Sequence, residues 1–277
     1  MIKFFLKSLL IFALLSLIFA VLTKTLPLPG TIPVLMYHSI GSREDAKERK
    51  NFVDRKSFSA QMFFLKIFGY RVISMEEFYR IQTRQQLPRG REVVLTFDDA
   101  NQTFSQEAWP ILRQYGFPVT LFVVSESMKQ QINDSLFPED IQDYLKTGLL
   151  TLGSASKTHP DLTLVKDKQR EEEIWGSKQD LESMMKSPIH YFSYPYGELD
   201  ADVLRMVKKV RYRLAFTTSY HKLKGLEENP YALTRLNITR SSDNPIVFWV
   251  KISGLFQTHK FYWAKLKRRM TGLFPAR

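Results

Sequence analysis

The sequence predicts an α/β protein whose parallel sheet closes into a barrel. Short apolar runs typical of buried strands alternate with amphipathic stretches typical of helices along most of the 277 residues. The strand-like runs are almost continuously apolar, as strands are when helices cover a parallel sheet. About seven β-then-α units follow one another, and this number in this length favours a barrel over an open doubly wound sheet.

Each element has its own local signal. "REVVLTF" (91–97) is the strongest buried strand, "KSFSAQMFFLKIFG" (56–69) has helical apolar spacing, and the run 166–186 carries opposite charges at i,i+4. The predicted strands are 33–37, 70–74, 91–97, 117–124, 149–153, 189–195, 212–218 and 233–238. The predicted helices are 56–69, 75–83, 105–116, 138–148, 166–186 and 200–210.

The amino terminus is typical of an export signal. Two lysines precede the uncharged apolar run 8–22, and a positive segment before such a run directs a chain to the membrane. Ile18 stands where a cleavage site would have a small residue, so we predict an uncleaved signal anchor or transmembrane helix over 1–24. A cleaved signal, and hence a secreted protein, is the alternative. In both cases the main domain is expected outside the cytoplasm, after a Pro-rich linker at 25–33.

The carboxyl terminus has a different composition. After Asp243 the chain contains no acidic residue, and aromatic residues alternate with lysine and arginine. We therefore assign 34–256 to the barrel and 257–277 to a basic, aromatic, helical tail. The tail is either an interfacial helix on anionic lipid or a helix packed on the barrel with a solvated basic face.

The net charge and the absence of cysteine limit the kinds of partner and of site that the sequence allows. A net charge of +12 favours anionic surfaces such as phospholipid headgroups or anionic glycans. Nucleic acid fits the charge equally well, but with the export signal we expect no nucleic-acid partner. Cysteine is absent, which excludes disulfides and thiolate metal sites from this chain.

Titratable and turn-forming residues follow four of the predicted strands. In a βα barrel the functional groups lie at the carboxyl ends of the strands, so these residues are expected to share one rim. Each alone has an ordinary explanation, as a structural histidine, a helix cap or a turn; their common position predicts an active site. The residues are His38, Asp98, Asp99, His159, Tyr196 and Gly197.

The chemistry of the rim residues suggests a different role for each. Asp99 and His159 offer oxygen and nitrogen ligands for a divalent ion such as Zn²⁺. Asp98 can deprotonate a metal-bound water, and His38 can protonate a leaving group. This set predicts metal-assisted hydrolysis of an amide or an ester.

Four motifs in register resemble a known family. "PVLMYHSI", "TFDD", "THPDL" and "YPYG", within a stretch from about Pro33 to Gly254, are similar to the polysaccharide deacetylases of carbohydrate esterase family 4. The "YH" before "TFDD" resembles the branch of exported poly-N-acetylglucosamine deacetylases. The resemblance implies a distorted (β/α)7 barrel. It also implies removal of N-acetyl groups from a cell-envelope polysaccharide, with a divalent metal, Zn²⁺ in first place, as cofactor.

The resemblance assigns a role to each motif residue. The family's Leu-x-His near the carboxyl terminus is not found. The matches are Asp98 as catalytic base, Asp99 as metal ligand, His159 as the second histidine of His-x-x-x-His, Tyr196 as the residue whose backbone N–H holds the oxyanion, and His38 as general acid.

The sequence departs from the family's motifs at two positions, one in the metal-binding motif and one beside the catalytic base. Ala155 replaces the first histidine of the pair, leaving two protein ligands unless Ser154, Ser156 or a carboxylate from elsewhere fills the position, with Ser154 as the accessory candidate. Ala100 stands where the family prefers glycine, so a positive φ there would be strained. Arg235 is expected to approach Asp98 from a neighbouring strand.

Two functions are compatible with these residues. The first is metal-dependent hydrolysis of N-acetyl groups on an envelope polysaccharide by a membrane-anchored enzyme. The second is a catalytically impaired relative that binds glycan or a partner in the same groove. A membrane-surface lipid or nucleic-acid binder, acting through the basic tail, is a third class.

Overall fold

The computed structural model describes residues 32–42, 51–132, 134–218 and 229–253. The predicted anchor, nearly all of the linker and the basic tail lie outside these residues and stay predictions. Within the described part, no helix has the length and apolar character needed to cross a membrane.

Parallel strands form a sheet that is nearly closed into a barrel. In chain order the strands are β1 (Val34–Tyr37), β2 (Ser39–Gly41), β3 (Phe52–Asp54), β4 (Arg71–Val72), β5 (Glu92–Phe97), β6 (Val119–Val123), β7 (Leu150–Ser154), β8 (Tyr191–Ser193), β9 (Leu214–Thr217), β10 (Leu233–Thr234) and β11 (Leu236–Asn237). Strands β1, β5, β6, β7, β8 and β9 pair successively, all in parallel. β10 then pairs with β9 and β11 with β1, and Arg235 alone separates β10 from β11.

The interrupted pair β10 and β11 therefore acts as the seventh barrel strand. The Arg235 N–H donates to the Thr217 carbonyl at 3.0 Å, and the Ile238 N–H donates to the Met36 carbonyl at 2.9 Å, so the chain bonds to both neighbours. This arrangement confirms the predicted parallel α/β fold and is consistent with seven βα units.

Helices cover the outside of the barrel between the strands. Asp54, Ser74, Asp200 and Asn244 cap four of them, each with a side-chain oxygen that accepts from a first-turn N–H. The helices are Arg55–Ile67, Met75–Gln82, Trp109–Tyr115, Ser125–Gln130, Pro138–Lys146, Asp167–Glu171, Ser177–Met185, Ala201–Lys209 and Pro245–Ile252, with π-helical turns at Phe104–Ala108 and Glu172–Gly176 and 3₁₀ turns at Pro195–Gly197 and Arg240–Asp243.

The structure corrects several predicted bounds. The helix predicted over 166–186 is two helices joined by a π-helical turn, and the strand predicted over 189–195 is cut to three residues before the turn at Pro195. β2, β3 and the helix Ser125–Gln130 were not predicted, because segments this short carry too few residues for a periodic signal.

Side chains along each strand point alternately outward and inward, so the protein has one apolar layer between the strands and the helices and a second inside the barrel. Tyr37 of β1 stacks on Phe97 of β5 with ring centroids 5.1 Å apart, and Phe58 of the helix Arg55–Ile67 meets both rings edge-on. Side chains of the opposite parity line the barrel interior, including Val34, Val94, Phe122 and Phe216, where they form a second cluster.

The helix Met75–Gln82 covers the amino-terminal end of this interior. Its Phe78 stacks on Phe216 with centroids 6.3 Å apart and joins a cluster with Val34 and Leu214, the first residues of their strands. The carboxyl ends of the strands are thus the end left for a site.

We expect Phe58→Ala to lower the free energy of unfolding by about 3–5 kcal/mol, because it leaves a cavity beside two buried rings. Urea unfolding of the full-length chain, followed by tryptophan fluorescence, measures the change. Phe63→Ala is the matched control: it removes the same ring from the same helix where 56% of the residue is exposed. Its effect should stay within about 0.5 kcal/mol. Equal losses for the two variants would contradict the assigned core.

Candidate functional site

Strand parity directs a layer of side chains inward at the carboxyl rim. Thr96 faces the interior, so Asp98 two residues later continues the inward series. By the same alternation, His38 follows β1 inward, Ala155 follows β7, and Arg235 faces the interior between β10 and β11. The predicted rim is therefore brought together by regular strand geometry.

The Asp98 carboxylate is held by Arg235 from across the barrel. The Arg235 Nη1 atom lies 2.6 Å from Asp98 Oδ1, and Nη2 lies 2.7 Å from Oδ2, a bidentate pair. The Arg235 side chain is 1% exposed and the Asp98 side chain is 13% exposed. At this burial a fork-to-fork pair fixes the orientation of the carboxylate as well as its charge.

Three interior residues complete the surroundings of Arg235. Nη2 also donates to Ser193 Oγ at 2.7 Å, and Nη1 donates to Thr96 Oγ1 at 3.2 Å. The Phe122 ring lies under the guanidinium, 5.0 Å from Cζ to the ring centroid. Ser193 is the small residue that leaves space for this guanidinium.

Asp99 is the second carboxylate and is held by an unusual backbone. Asp99 and Ala100 have φ of 71° and 45°, so two consecutive residues with a Cβ adopt the left-handed region, at about 1–3 kcal/mol each. The predicted strain at Ala100 is therefore present. The Ala100 carbonyl accepts from the Leu136 N–H at 2.8 Å, a contact that helps to hold the turn.

Electrostatics place Asp99 among the other rim residues. Desolvation raises the pKa of Asp99 although its residue is exposed, because surrounding protein displaces part of its hydration; the neighbouring Asp98 charge raises it further. His38, His159 and Arg235 act in the opposite direction and lower it. The two histidines thus lie within electrostatic range of the same carboxylate.

His159 and Tyr196 meet at the rim. Their rings are 4.9 Å apart between centroids in an edge-to-face arrangement, and 65% of Tyr196 is exposed. Both residues have left-handed backbones, with φ of 65° and 57°. Gly197 is required beside them, since a Cβ there would lie 2.7 Å from the Thr218 backbone nitrogen.

His38 lies on the other side of the rim. Its Nε2 is 3.5 Å from Asn51 Nδ2, and Asn237 Nδ2 donates to Asn51 Oδ1 at 3.3 Å. The buried Nδ1 of His38 has no hydrogen-bond partner within the described ranges. His38 therefore retains a ring nitrogen that no protein group in this part of the chain occupies.

The donor set does not fit a resident catalytic zinc ion. Ala155 is 2% exposed and packs in the interior cluster with Phe122 and Val124, where it offers no donor atom. No group of three His, Cys, Asp or Glu side chains suited to a metal occurs among the residues that the structure describes. Catalytic zinc sites carry three protein ligands, and Asp99 and His159 supply two.

Ser154 does not take the missing position. Its residue is fully buried, and its Oγ lies 2.8 Å from Ser177 Oγ on the covering helix. Strand parity explains the difference, because Ser154 points outward from β7 whereas Ala155 points inward. Its expected place among the donors is therefore not supported.

A parallel α/β barrel with a clamped aspartate, a second aspartate and two histidines at its carboxyl rim has the features of a hydrolase site. A family model of polysaccharide deacetylases matches residues 85–215. The Bacillus subtilis protein YxkH, whose name assigns it to the polysaccharide deacetylases, is 28% identical over 211 residues, 76% of this chain and 72% of that protein.

One further sequence relative and one solved structure are also deacetylases by name. A Staphylococcus aureus poly-beta-1,6-N-acetyl-D-glucosamine N-deacetylase is 26% identical over 212 residues, 70% of each chain. The Streptococcus pyogenes deacetylase PplD, solved in complex with acetate, superposes with a TM-score of 0.71 and 26% identity over 79% of this chain and 98% of that one. The chain is thus similar to polysaccharide deacetylases in sequence and in fold, which confirms the predicted resemblance and the predicted hydrolase class.

Sequence reasoning missed the residues that support the predicted ones. Thr96 contacts Arg235, and Asn51 and Asn237 form the polar chain beside His38. Thr96 could have been found, because it lies two residues before Asp98 on the same strand face. Asn51 could not, since only the folded chain brings it to His38.

We expect Arg235→Met to lower the free energy of unfolding by about 3–5 kcal/mol, because it leaves the Asp98 carboxylate buried without its counter-charge. Adding Asp98→Asn to Arg235→Met should restore part of the loss in urea unfolding of the full-length chain. Arg205→Met, which breaks a pair whose side chains are 74% and 57% exposed, is the control and should change stability by no more than about 1 kcal/mol. A double variant less stable than Arg235→Met would refute the pairing argument.

Proposed function

We propose that this protein hydrolyses N-acetyl groups on a polysaccharide of the cell envelope. The observation that carries the proposal is the Asp98 carboxylate, oriented by Arg235 and placed beside Asp99, His38 and His159 at one rim. Relatives named for deacetylation of N-acetylglucosamine polymers support the choice of an N-acetylated sugar as substrate.

Three residues at the rim each carry out one step of the amide hydrolysis. Asp98 takes a proton from the attacking water, using the carboxylate lone pairs that Arg235 does not occupy. The oxygen of the amide carbonyl becomes negative and is stabilised by the Tyr196 N–H. His38 protonates the departing sugar nitrogen, so acetate and a free amine are released.

Asp99 and His159 are the two side chains at this rim that could contribute to a divalent-ion site. With Ala155 at the third position the ion would be bound weakly, and the roles of the other residues do not depend on it. Metal dependence is therefore a separate question from the proposed deacetylation.

The location is part of the proposal. The predicted signal anchor at 1–24 would place the barrel outside the cytoplasm, where envelope polysaccharide is found, and the basic tail at 257–277 would add affinity for anionic lipid. A membrane-anchored deacetylase acting on a surface polymer is consistent with both segments.

One observation favours a second candidate, a glycan-binding relative without catalysis. Ala155 is packed into the interior cluster, so no rearrangement of that side chain can complete the ligand set. The rim and its exposed Tyr196 ring would remain available to a sugar.

We expect Asp98→Asn to lower the rate of acetate release from β-1,6-linked N-acetylglucosamine oligomers by about 10²–10⁴-fold, because the amide cannot accept the proton. Mass spectrometry of the oligomers measures the product amine. Asp143→Asn, at an aspartate whose side chain is 71% exposed in a remote ion pair, is the control and should keep the wild-type rate. If wild-type protein binds the oligomers without releasing acetate, the deacetylase proposal is wrong and the glycan-binding candidate is supported.

We expect Ala155→His to raise the affinity for Zn²⁺ by at least about tenfold, because it adds a third donor beside Asp99 and His159. Zinc content after dialysis against a weak chelator measures this, and wild-type protein should retain much less than one equivalent. Ala155→Val controls for added volume at the same buried position and should bind no more zinc than wild type. A full equivalent of zinc in wild-type protein would show that another donor replaces Ala155.

A further inference from the structure

The loop after β7 that carries His159 has a strained backbone. Ser156 and His159 have φ of 70° and 65°, both in the left-handed region. Such residues persist where the surrounding structure holds them, at about 1–3 kcal/mol each. The contacts of this loop must therefore include groups that stabilise its conformation.

Glu173 supplies such contacts from the covering helical segment. Its Oε2 accepts from the backbone N–H of Lys157 at 2.9 Å and of Thr158 at 2.8 Å, and its Oε1 accepts from Thr158 Oγ1 at 2.5 Å. The residue is 4% exposed. A buried carboxylate that satisfies two adjacent backbone donors leaves those peptides little freedom to rotate.

The same peptides are held from their other side. The first N–H groups of the helix Ser125–Gln130 donate to the carbonyls of Ser156 and Lys157, at 3.3 and 3.0 Å. Farther along the loop, buried Arg170 donates to the carbonyls of Leu162 and Val165, at 3.0 and 2.9 Å. The loop is thus fixed before and after His159.

Glu173 lies in the π-helical turn Glu172–Gly176, which separates the helices Asp167–Glu171 and Ser177–Met185. A π-helical turn inserts a residue into a helix and changes which side chains face a neighbour, and such turns are frequent at functional sites. Here the turn carries a carboxylate that reaches the backbone immediately before His159.

We propose that Glu173 is a positioning residue for His159. Its carboxylate does not touch the imidazole; it fixes the peptides of Lys157 and Thr158, and the next residue then keeps its left-handed backbone, with the His159 N–H donating to Ser156 Oγ at 3.0 Å. The ring is held against Tyr196 at the rim without help from a complete metal ligand set. The effect on catalysis rests on the proposed deacetylase function, whereas the effect on the loop does not.

Amide hydrogen exchange of the full-length chain tests the loop directly. In Glu173→Ala, the amides of Lys157 and Thr158 should exchange at least about tenfold faster, because they lose their acceptors. Glu173→Gln should exchange nearly as slowly as wild type, since its carbonyl oxygen can accept both N–H groups and its NH₂ can donate to the threonine hydroxyl. Glu172→Ala is the matched control: in the same turn it bonds the Lys157 ammonium at 2.6 Å and should leave these amides unchanged.

Activity on N-acetylglucosamine oligomers tests the consequence for His159. Glu173→Ala should lower kcat by about tenfold or more with little change in KM, because a displaced His159 ring no longer supports Tyr196, whose N–H is assigned to the negative oxygen of the transition state. Glu173→Gln should restore kcat to within about threefold of wild type, the pattern of a positioning residue. A Glu173→Ala variant with wild-type exchange, or with faster exchange and unchanged kcat, would overturn the proposal.

Thr158→Val covers the case in which Glu173→Ala does not fold, because it removes one contact and keeps the carboxylate. It should speed exchange at Thr158 relative to wild type by less than about tenfold, because the carboxylate still accepts the backbone N–H. No change relative to wild type would count against the proposal. If wild-type protein proves inactive, the exchange results still decide whether Glu173 holds the loop, so the two proposals fail separately.

Discussion

The bidentate contact between Arg235 and Asp98 joins the closure of the barrel to the construction of its site. Arg235 occupies the single residue between β10 and β11, where the seventh strand passes from one neighbour to the other. Its backbone N–H bonds β9 while its guanidinium crosses the interior to the rim. Burying either charge alone would carry a large desolvation penalty. The Arg235 guanidinium and the Asp98 carboxylate offset this penalty for each other. Ser193 and Thr96 take the remaining donors of the two Nη atoms.

Strain is distributed around the rim that this pair organises. Asp99, Ala100, His159 and Tyr196 all have positive φ, and each belongs to a turn that follows a barrel strand. Such conformations are kept when the surrounding contacts determine them more strongly than the local backbone does. Regular strands bring these turns to one edge of the barrel, and the turns place Asp99, His159 and Tyr196 at that rim.

The parts of this structure that sequence predicts best are those set by local periodicity. The strong strands and most helices were predicted within a few residues, and strand parity explains why Asp98 faces inward and Ser154 does not. The interrupted seventh strand could be predicted as a strand, but not its break at Arg235. Contacts such as Glu173 with Lys157, or Asn51 with His38, join different segments, 16 and 13 residues apart in the chain. No pattern within a single segment carries that information.

Ala155 connects these observations. At its position the chain has a methyl group in the same buried cluster as Phe122, and the Arg235 guanidinium lies over the Phe122 ring, so the interior cluster supports the clamp on Asp98. A histidine there would gain a donor at the cost of disturbing that packing. In a complete metal site an ion helps to orient the second histidine and the aspartate. In this chain Arg235 orients Asp98 through direct contact, and by our proposal Glu173 orients His159 through the loop.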